Sequence, residues 1–268
     1  MSLVDGARYR LAARAPVRQR SPAATTALMA MVVLLAAWQL AARWGLVKHG
    51  YLPAPSAVAV AGVAMARDGE LWQNAQISLL EFAMGLALSI GVGIPLGLLM
   101  GWFRTVRELF EPLVMVLNAM PRIALIPMIV VWLGIGSISK IAVVFIGGVI
   151  PLIVNGMAGV RDADGSLVRL ARSFCASDLQ LFLKILLPGS VPSLLAGLRL
   201  AIGHAVIGVV LAEMYASVRG MGYLLQSYGT NYEAAQLFFL VIVVSAAGYL
   251  ATACVQLVES RFQSWRQP

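Results

Sequence analysis

Seven polar side chains stand inside stretches that are otherwise apolar: Glu81, Asn118, Arg122, Asn155, Arg199, His204 and Glu213. Arg122 lies in "NAMPRIALIP", between Pro121 and Pro127 and four residues after Asn118. A guanidinium presents planar paired donors, so Arg122 with Asn118 suits an oxyanion. Asn155, beside Pro151 and Gly156, is a weaker candidate of the same kind. Arg199 and Glu213 share one segment fourteen residues apart, about 21 Å along a helix and within about 40° of one face, too far to touch but able to line one path. His204 is turned about 140° from Arg199 and reads as interhelical packing. Glu81 reads as a carboxylate reaching the membrane interface. Nothing here cleaves ATP, because no Gly-x-x-x-x-Gly-Lys-Ser/Thr occurs and none of Lys48, Lys140 and Lys184 follows a glycine. Catalytic residues are not expected, nor a metal: Cys175 and Cys254 have no ligand cluster around them and do not suggest a disulfide.

The elements that position these residues must be membrane helices. Of 268 residues, 60% are hydrophobic and 12% charged, against roughly 25% charged in a soluble domain. Six segments, near 26–46, 77–101, 112–133, 139–160, 190–214 and 235–257, can cross about 30 Å of hydrocarbon as helices. None alternates in the manner of a barrel strand. The expected class is all-α, a six-helix unit over 26–257 between a basic tail at 1–25 and a short tail at 258–268. Gly91, Gly93, Gly97 and Gly101 read as a packing stripe that lets two helices approach closely.

Orientation follows from the basic residues. Thirteen of the twenty Lys and Arg, from Arg8 to Arg266, fall on one side when the amino terminus is placed inside, and five, Arg43, Lys48, Arg67, Lys140 and Arg219, fall on the other. Positive residues favour the inner face, so both termini are expected in the cytoplasm. The net charge of +8 reflects that bias; the basic residues do not alternate with aromatics along a groove, and no nucleic-acid partner is expected.

Between the fourth and fifth spans, the loop 161–189 contains "VRLARSFCASDLQLFLKILLPGSVP" (168–192). Leu167, Leu170, Ala171 and Phe174 recur at helical spacing, and Leu179, Phe182, Ile185 and Leu186 do so again. Two short amphipathic helices are expected, the second opened by a Ser177/Gln180 capping box and ended by Pro188 and Pro192. By periodicity alone this is an interfacial hairpin lying on lipid headgroups.

The spacing resembles the cytoplasmic "EAA" loop of permease subunits of ATP-binding-cassette importers: Glu-Ala-Ala, three residues, Gly, nine residues, Ile, one residue, Leu-Pro. Ala171, Ile185, Leu187 and Pro188 match in register, while Arg169 stands for the Glu, Leu170 for the first Ala and Cys175 for the Gly. "YLPAPSAVAVAG" (51–62), "GIPLGLLMGWF" (93–103), "MPRIALIPMIVVWLGIGSISK" (120–140) and "GMGYLLQ" (220–226) also resemble permeases for sulfonates, taurine, nitrate or thiamine-precursor pyrimidines.

The resemblance implies a type I importer permease fold in a bacterial plasma membrane, with a coupling helix that docks on an ATPase dimer. It also implies a second permease copy, an extracytoplasmic substrate-binding protein, no cofactor on this chain, and ATP with Mg on the ATPase. Arg169, Ala171, Cys175, Ile185, Leu187 and Pro188 would form the coupling segment; Asn118, Arg122, Asn155, Arg199 and Glu213 are the candidates for the solute path. Cys175 implies a turn unlike the glycine one, or tolerated strain. Arg169 implies a partner with an acid opposite it. From the residues alone, an ion-coupled carrier or channel without an ATPase stays open; it calls for acids at mid-membrane and inverted repeats.

Overall fold

The computed structural model describes residues 23–44, 51–163 and 165–262. Among the described residues every element is a helix: α1 (Ala23–Arg43), α2 (Pro55–Arg67), α3 (Glu70–Trp102), α4 (Arg104–Ala119), α5 (Arg122–Leu133), α6 (Ser137–Arg161), α7 (Gly165–Ser173), α8 (Asp178–Leu181), α9 (Leu187–Ala216), α10 (Met221–Thr230) and α11 (Ala234–Phe262). Among the described residues five runs are long and apolar enough to span a membrane, and the pair α4 and α5 makes a sixth if counted as one bent span.

The centre is a seam between α3 and α6. Gly85, Ser89, Gly93, Gly97 and Gly101 recur every four residues and form one face of α3. A Cβ at Gly97 would lie 2.6 Å from the Ile153 carbonyl oxygen, and one at Gly93 would lie 2.8 Å from the Leu152 Cβ. Facing them, a Cβ at Gly148 would come within 2.7 Å of the Ser89 hydroxyl. Of the expected stripe, Gly91 lies outside, with no atom within 4 Å of its Cβ position. It is two residues out of the four-residue register, and Ser89 holds that place. On its other side α6 meets α9 just as closely, Gly159 against Ser190 and Ser193, and Gly197 against Asn155.

Two expected elements differ. The span at 112–133 is broken, with α4 and α5 at 102°. Met120 and Pro121 are extended (φ −68°, ψ 137°; φ −70°, ψ 94°), because a residue before proline is driven out of the helical region and Pro121 cannot donate. Conversely, Pro188 and Pro192 do not end a helix. From Asp178 to Ala216 the chain is one helical run, with a π turn over Phe182–Leu186. Pro188 follows directly on this π turn, as the second residue of α9.

α1 is largely exposed. It is tied to α2 by Gln39, whose Nε2 donates to Ser56 Oγ (3.1 Å) and whose Oε1 accepts from the Ser56 amide (3.2 Å).

The seam makes a contrast of two glycines decisive. Gly97→Val is expected to cost at least about 3 kcal/mol, at the upper end for overpacking, since the obstacle is backbone. Gly91→Ala is expected to be neutral or slightly stabilising. Thermal unfolding of the two variants in detergent checks this; equal melting temperatures would contradict the seam.

Candidate functional site

Three features concentrate the polar chemistry. The first lies where α10 begins. A helix start leaves amides without intrahelical partners. Here three are satisfied by neighbouring spans: the Gly220 amide donates to Asn74 Oδ1 (2.6 Å), Met221 to Ser78 Oγ (2.8 Å) and Gly222 to Glu213 Oε2 (2.7 Å). Ser78 Oγ in turn donates to Glu213 Oε1 at 2.6 Å. The arrangement requires glycine. Gly220 has φ +114°, and a Cβ there would strike the Glu213 carboxylate; one at Gly222 would strike the Val210 carbonyl. At the other end of α10, Tyr228 Oη donates to Glu70 Oε2 at 2.6 Å. Burial, and then this hydrogen bond, push the tyrosine hydroxyl above its ordinary range.

One turn along α3 from Ser78, Glu81 is fully buried. Lys140 Nζ lies 2.8 Å from its Oε1 and donates to Ser217 Oγ at 2.9 Å. Neither Glu81 oxygen has a hydrogen bond of normal geometry, so ionic contact with Lys140 compensates the charge. Two expectations change here. Glu81 does not reach the interface, and Lys140 is not a loop residue but a buried member of α6. The missed signal was the polar set Asn74, Ser78 and Glu81, spaced four and three apart on one face of α3.

The second feature is a cavity of about 460 Å³ lined by Asn118, Met120, Arg122, Val143, Gly147, His204 and neighbouring apolar residues. Arg122 Nη1 donates to the Gly147 carbonyl (3.0 Å) and Nη2 to Asn118 Oδ1 (3.3 Å). His204, expected to be packing, faces this cavity with them. Asn155 is instead turned to its own helix, its Nδ2 donating to the Pro151 carbonyl at 2.8 Å. Arg199 is away from both: it pairs with Glu259 of α11. Among the described residues Glu213 is thus held by Ser78 and the α10 cap, and Arg199 by Glu259. Among the described residues no cluster of three or more His, Cys, Asp or Glu could hold a metal.

The third feature is the elbow of α7 and α8. The expected capping box is present: Gln180 N donates to Ser177 Oγ (3.3 Å), and Ser177 N to Gln180 Oε1 (3.0 Å). α7 ends in a Schellman turn, with the Ala176 amide on the Ala171 carbonyl (3.1 Å) and the Cys175 amide on that of Arg172 (3.0 Å). Cys175 takes the left-handed position of this turn at φ +55°. The glycine-type turn is thus kept, with strain of about 1 kcal/mol or more on a residue bearing a Cβ. Ala171, Ile185, Leu187 and Pro188 are half-buried, while Arg169 and Cys175 face outward. Phe174 is 78% exposed and Leu179 66%, although Phe182 packs against Trp102 of α3 with the rings tilted at 58° and their centroids 5.7 Å apart.

Residues 93–264 match the family described as binding-protein-dependent transport system inner membrane component. The chain belongs to this family. As such it is a multi-pass membrane component of an ATP-binding-cassette importer. It is similar to an aliphatic sulfonates transport permease, SsuC, of Bacillus subtilis (30% identical, covering 85% of this chain and 83% of that protein). It is also similar to the taurine transport system permease TauC of Escherichia coli (30%; 85% of each) and to the formylaminopyrimidine transport permease ThiX of Halalkalibacterium halodurans (30%; 86% and 91%). A chain of the MetNI methionine ABC transporter, in an inward-facing conformation, superposes with a TM-score of 0.63 over 72% of this chain and 95% of that one, at 17% identity. The fold is that of a type I importer permease.

For this permease two outcomes follow. Lys140→Met, which strands the Glu81 charge, should destabilise by about 3–5 kcal/mol, and combining it with Glu81→Leu should recover most of that loss. A double-mutant cycle by chemical denaturation measures the recovery, and additive losses would contradict a paired charge. Cys175→Gly should gain about 1 kcal/mol by relieving the left-handed residue, read as a rise in melting temperature.

Proposed function

We propose that this permease forms the membrane path for a small, singly charged anionic solute such as a sulfonate, and that a separate ATPase drives it through the α7–α8 elbow. Taurine, nitrate and a pyrimidine precursor are the other solute classes that the relatives and the resemblance suggest. The observation that carries the coupling is the elbow itself. Apolar Phe174 and Leu179 stand largely exposed on a turn whose outgoing helix continues without a break into α9. A short element with an apolar tip and a rigid shaft suits docking in a cleft and moving as a body.

In this reading both termini and the elbow face the cytoplasm, as the basic bias suggests, and ATP with Mg sits on an ATPase dimer. Two permease copies enclose the path, and a soluble binding protein delivers solute from outside. ATP binding favours one of two permease states only through contacts that differ between them. Arg169 at the exposed face calls for an acidic residue on the ATPase.

The test is substrate-stimulated ATP hydrolysis by the complex purified with its native neighbours. Phe174→Asp with Leu179→Asp is expected to reduce stimulated hydrolysis at least tenfold and to release the ATPase, while the melting temperature of the permease holds. Arg169→Glu is expected to weaken assembly. Unchanged hydrolysis and assembly in both variants would remove the elbow as the docking surface.

A further inference from the structure

Pro151 lies inside α6 and has no amide hydrogen, so the carbonyl four residues earlier, that of Gly147, loses its helical partner. Inside a span such a carbonyl must be satisfied by protein or water. Arg122 Nη1 takes the vacant role at 3.0 Å, reaching across from α5, and Nη2 is held by Asn118 at 3.3 Å. The proline thus creates the acceptor that fixes the arginine. A guanidinium carries five N–H groups, and these two bonds leave three.

Among the described residues no carboxylate lines the cavity beside it: the polar lining side chains are Arg122, Asn118 and His204, and the rest are apolar or glycine. Among the described residues, no ion pair with an acid involves Arg122. A cation within spanning segments, without a counter-charge and with donors to spare, is suited to a mobile anion. One fixed positive charge balances one negative charge; a second would enter an apolar wall unpaired. His204 of α9, on the same cavity, adds a ring nitrogen that donates in its neutral form.

We propose that Arg122, held on the Gly147 carbonyl that Pro151 releases, is the specificity-determining cation of the solute path, selecting compact, singly charged oxyanions with His204 as a second donor. This rests on the reading above that the cavity belongs to a transport path. It adds what the path selects and which backbone feature sets the selection. Pro151 acts as a positioning residue.

The full chain in lipid nanodiscs tests this by saturation-transfer NMR on two methyl-bearing probes, methanesulfonate and its neutral analogue dimethyl sulfone, at constant ionic strength. Methanesulfonate should give saturable transfer, dimethyl sulfone none, and sulfate should compete at least fivefold less well than unlabelled methanesulfonate. Arg122→Gln should weaken methanesulfonate binding at least tenfold, and Arg122→Lys by an intermediate factor, because an ammonium cannot hold both acceptors and face the solute in one plane. Pro151→Ala restores an amide to Gly147 and unfixes the guanidinium. It should weaken methanesulfonate binding three- to tenfold while leaving the melting temperature equal or higher, a combination that a purely structural role does not produce. Equal binding of both probes, or Arg122→Gln within twofold of the parent, overturns the inference. Unchanged binding in Pro151→Ala overturns its positioning part. A preparation in which the ATPase assembles and responds but methanesulfonate fails to bind removes the selectivity claim and leaves the importer reading standing.

Discussion

Close approach of backbone to backbone between α3 and α6 is the constraint from which the rest of the bundle follows. Within a bilayer the lipid tails are as apolar as leucine, so helices associate through contact and polar bonds instead of through escape from water. The four-residue register Gly85, Ser89, Gly93, Gly97 and Gly101 supplies that contact. It presses α6 against α3 so tightly that the Ile153 carbonyl would lie 2.6 Å from any Cβ placed at Gly97. With α6 fixed, α9 can seat on its far side through Gly159 and Gly197. Lys140 on α6 then meets Glu81 on α3, and Gly147 presents its free carbonyl toward Arg122.

Helix continuity carries the next step. The run from Asp178 to Ala216 has 39 residues, about 58 Å at 1.5 Å each, and includes both the α8 side of the elbow and Glu213. Glu213 holds the first turn of α10 together with Asn74 and Ser78 of α3. In the proposed coupling, a displacement at the elbow would be carried to the α10 cap along this run, while α3 holds the opposite side of the cap. Such an interface has discrete arrangements, because buried charges and amides are either paired or costly. That is the kind of two-state element on which a nucleotide-driven partner can act.

Much of this was legible in the residues, and the limits have identifiable causes. Length and apolarity placed the spans because thickness and rise per residue leave little freedom. The capping box at Ser177 follows a local rule that survives in the fold, and of the two readings open at Cys175, a turn unlike the glycine one or tolerated strain, the left-handed φ of +55° selects the second. Lys140 was misread because it sits one turn into a span, where length alone does not separate a loop charge from a buried partner of Glu81. Pro188 misled because the compensating π turn lies upstream and has no sequence signature of its own. Arg199 and Glu213 share a helix face by angle, yet their partners, Glu259 and the α10 amides, come from elements distant in sequence. His204 likewise gains its place beside Arg122 only through the packing of α5 and α9 on α6.

Solute flux with the energy source chosen by the experimenter tests the central claim most directly. The permease, its ATPase and its binding protein are sealed into vesicles, and accumulation of labelled methanesulfonate is followed with ATP supplied to the ATPase side. Accumulation against a gradient that requires ATP and persists when proton and sodium gradients are dissipated is the predicted result. Accumulation by the permease alone under an ion gradient, without the ATPase, would contradict the account.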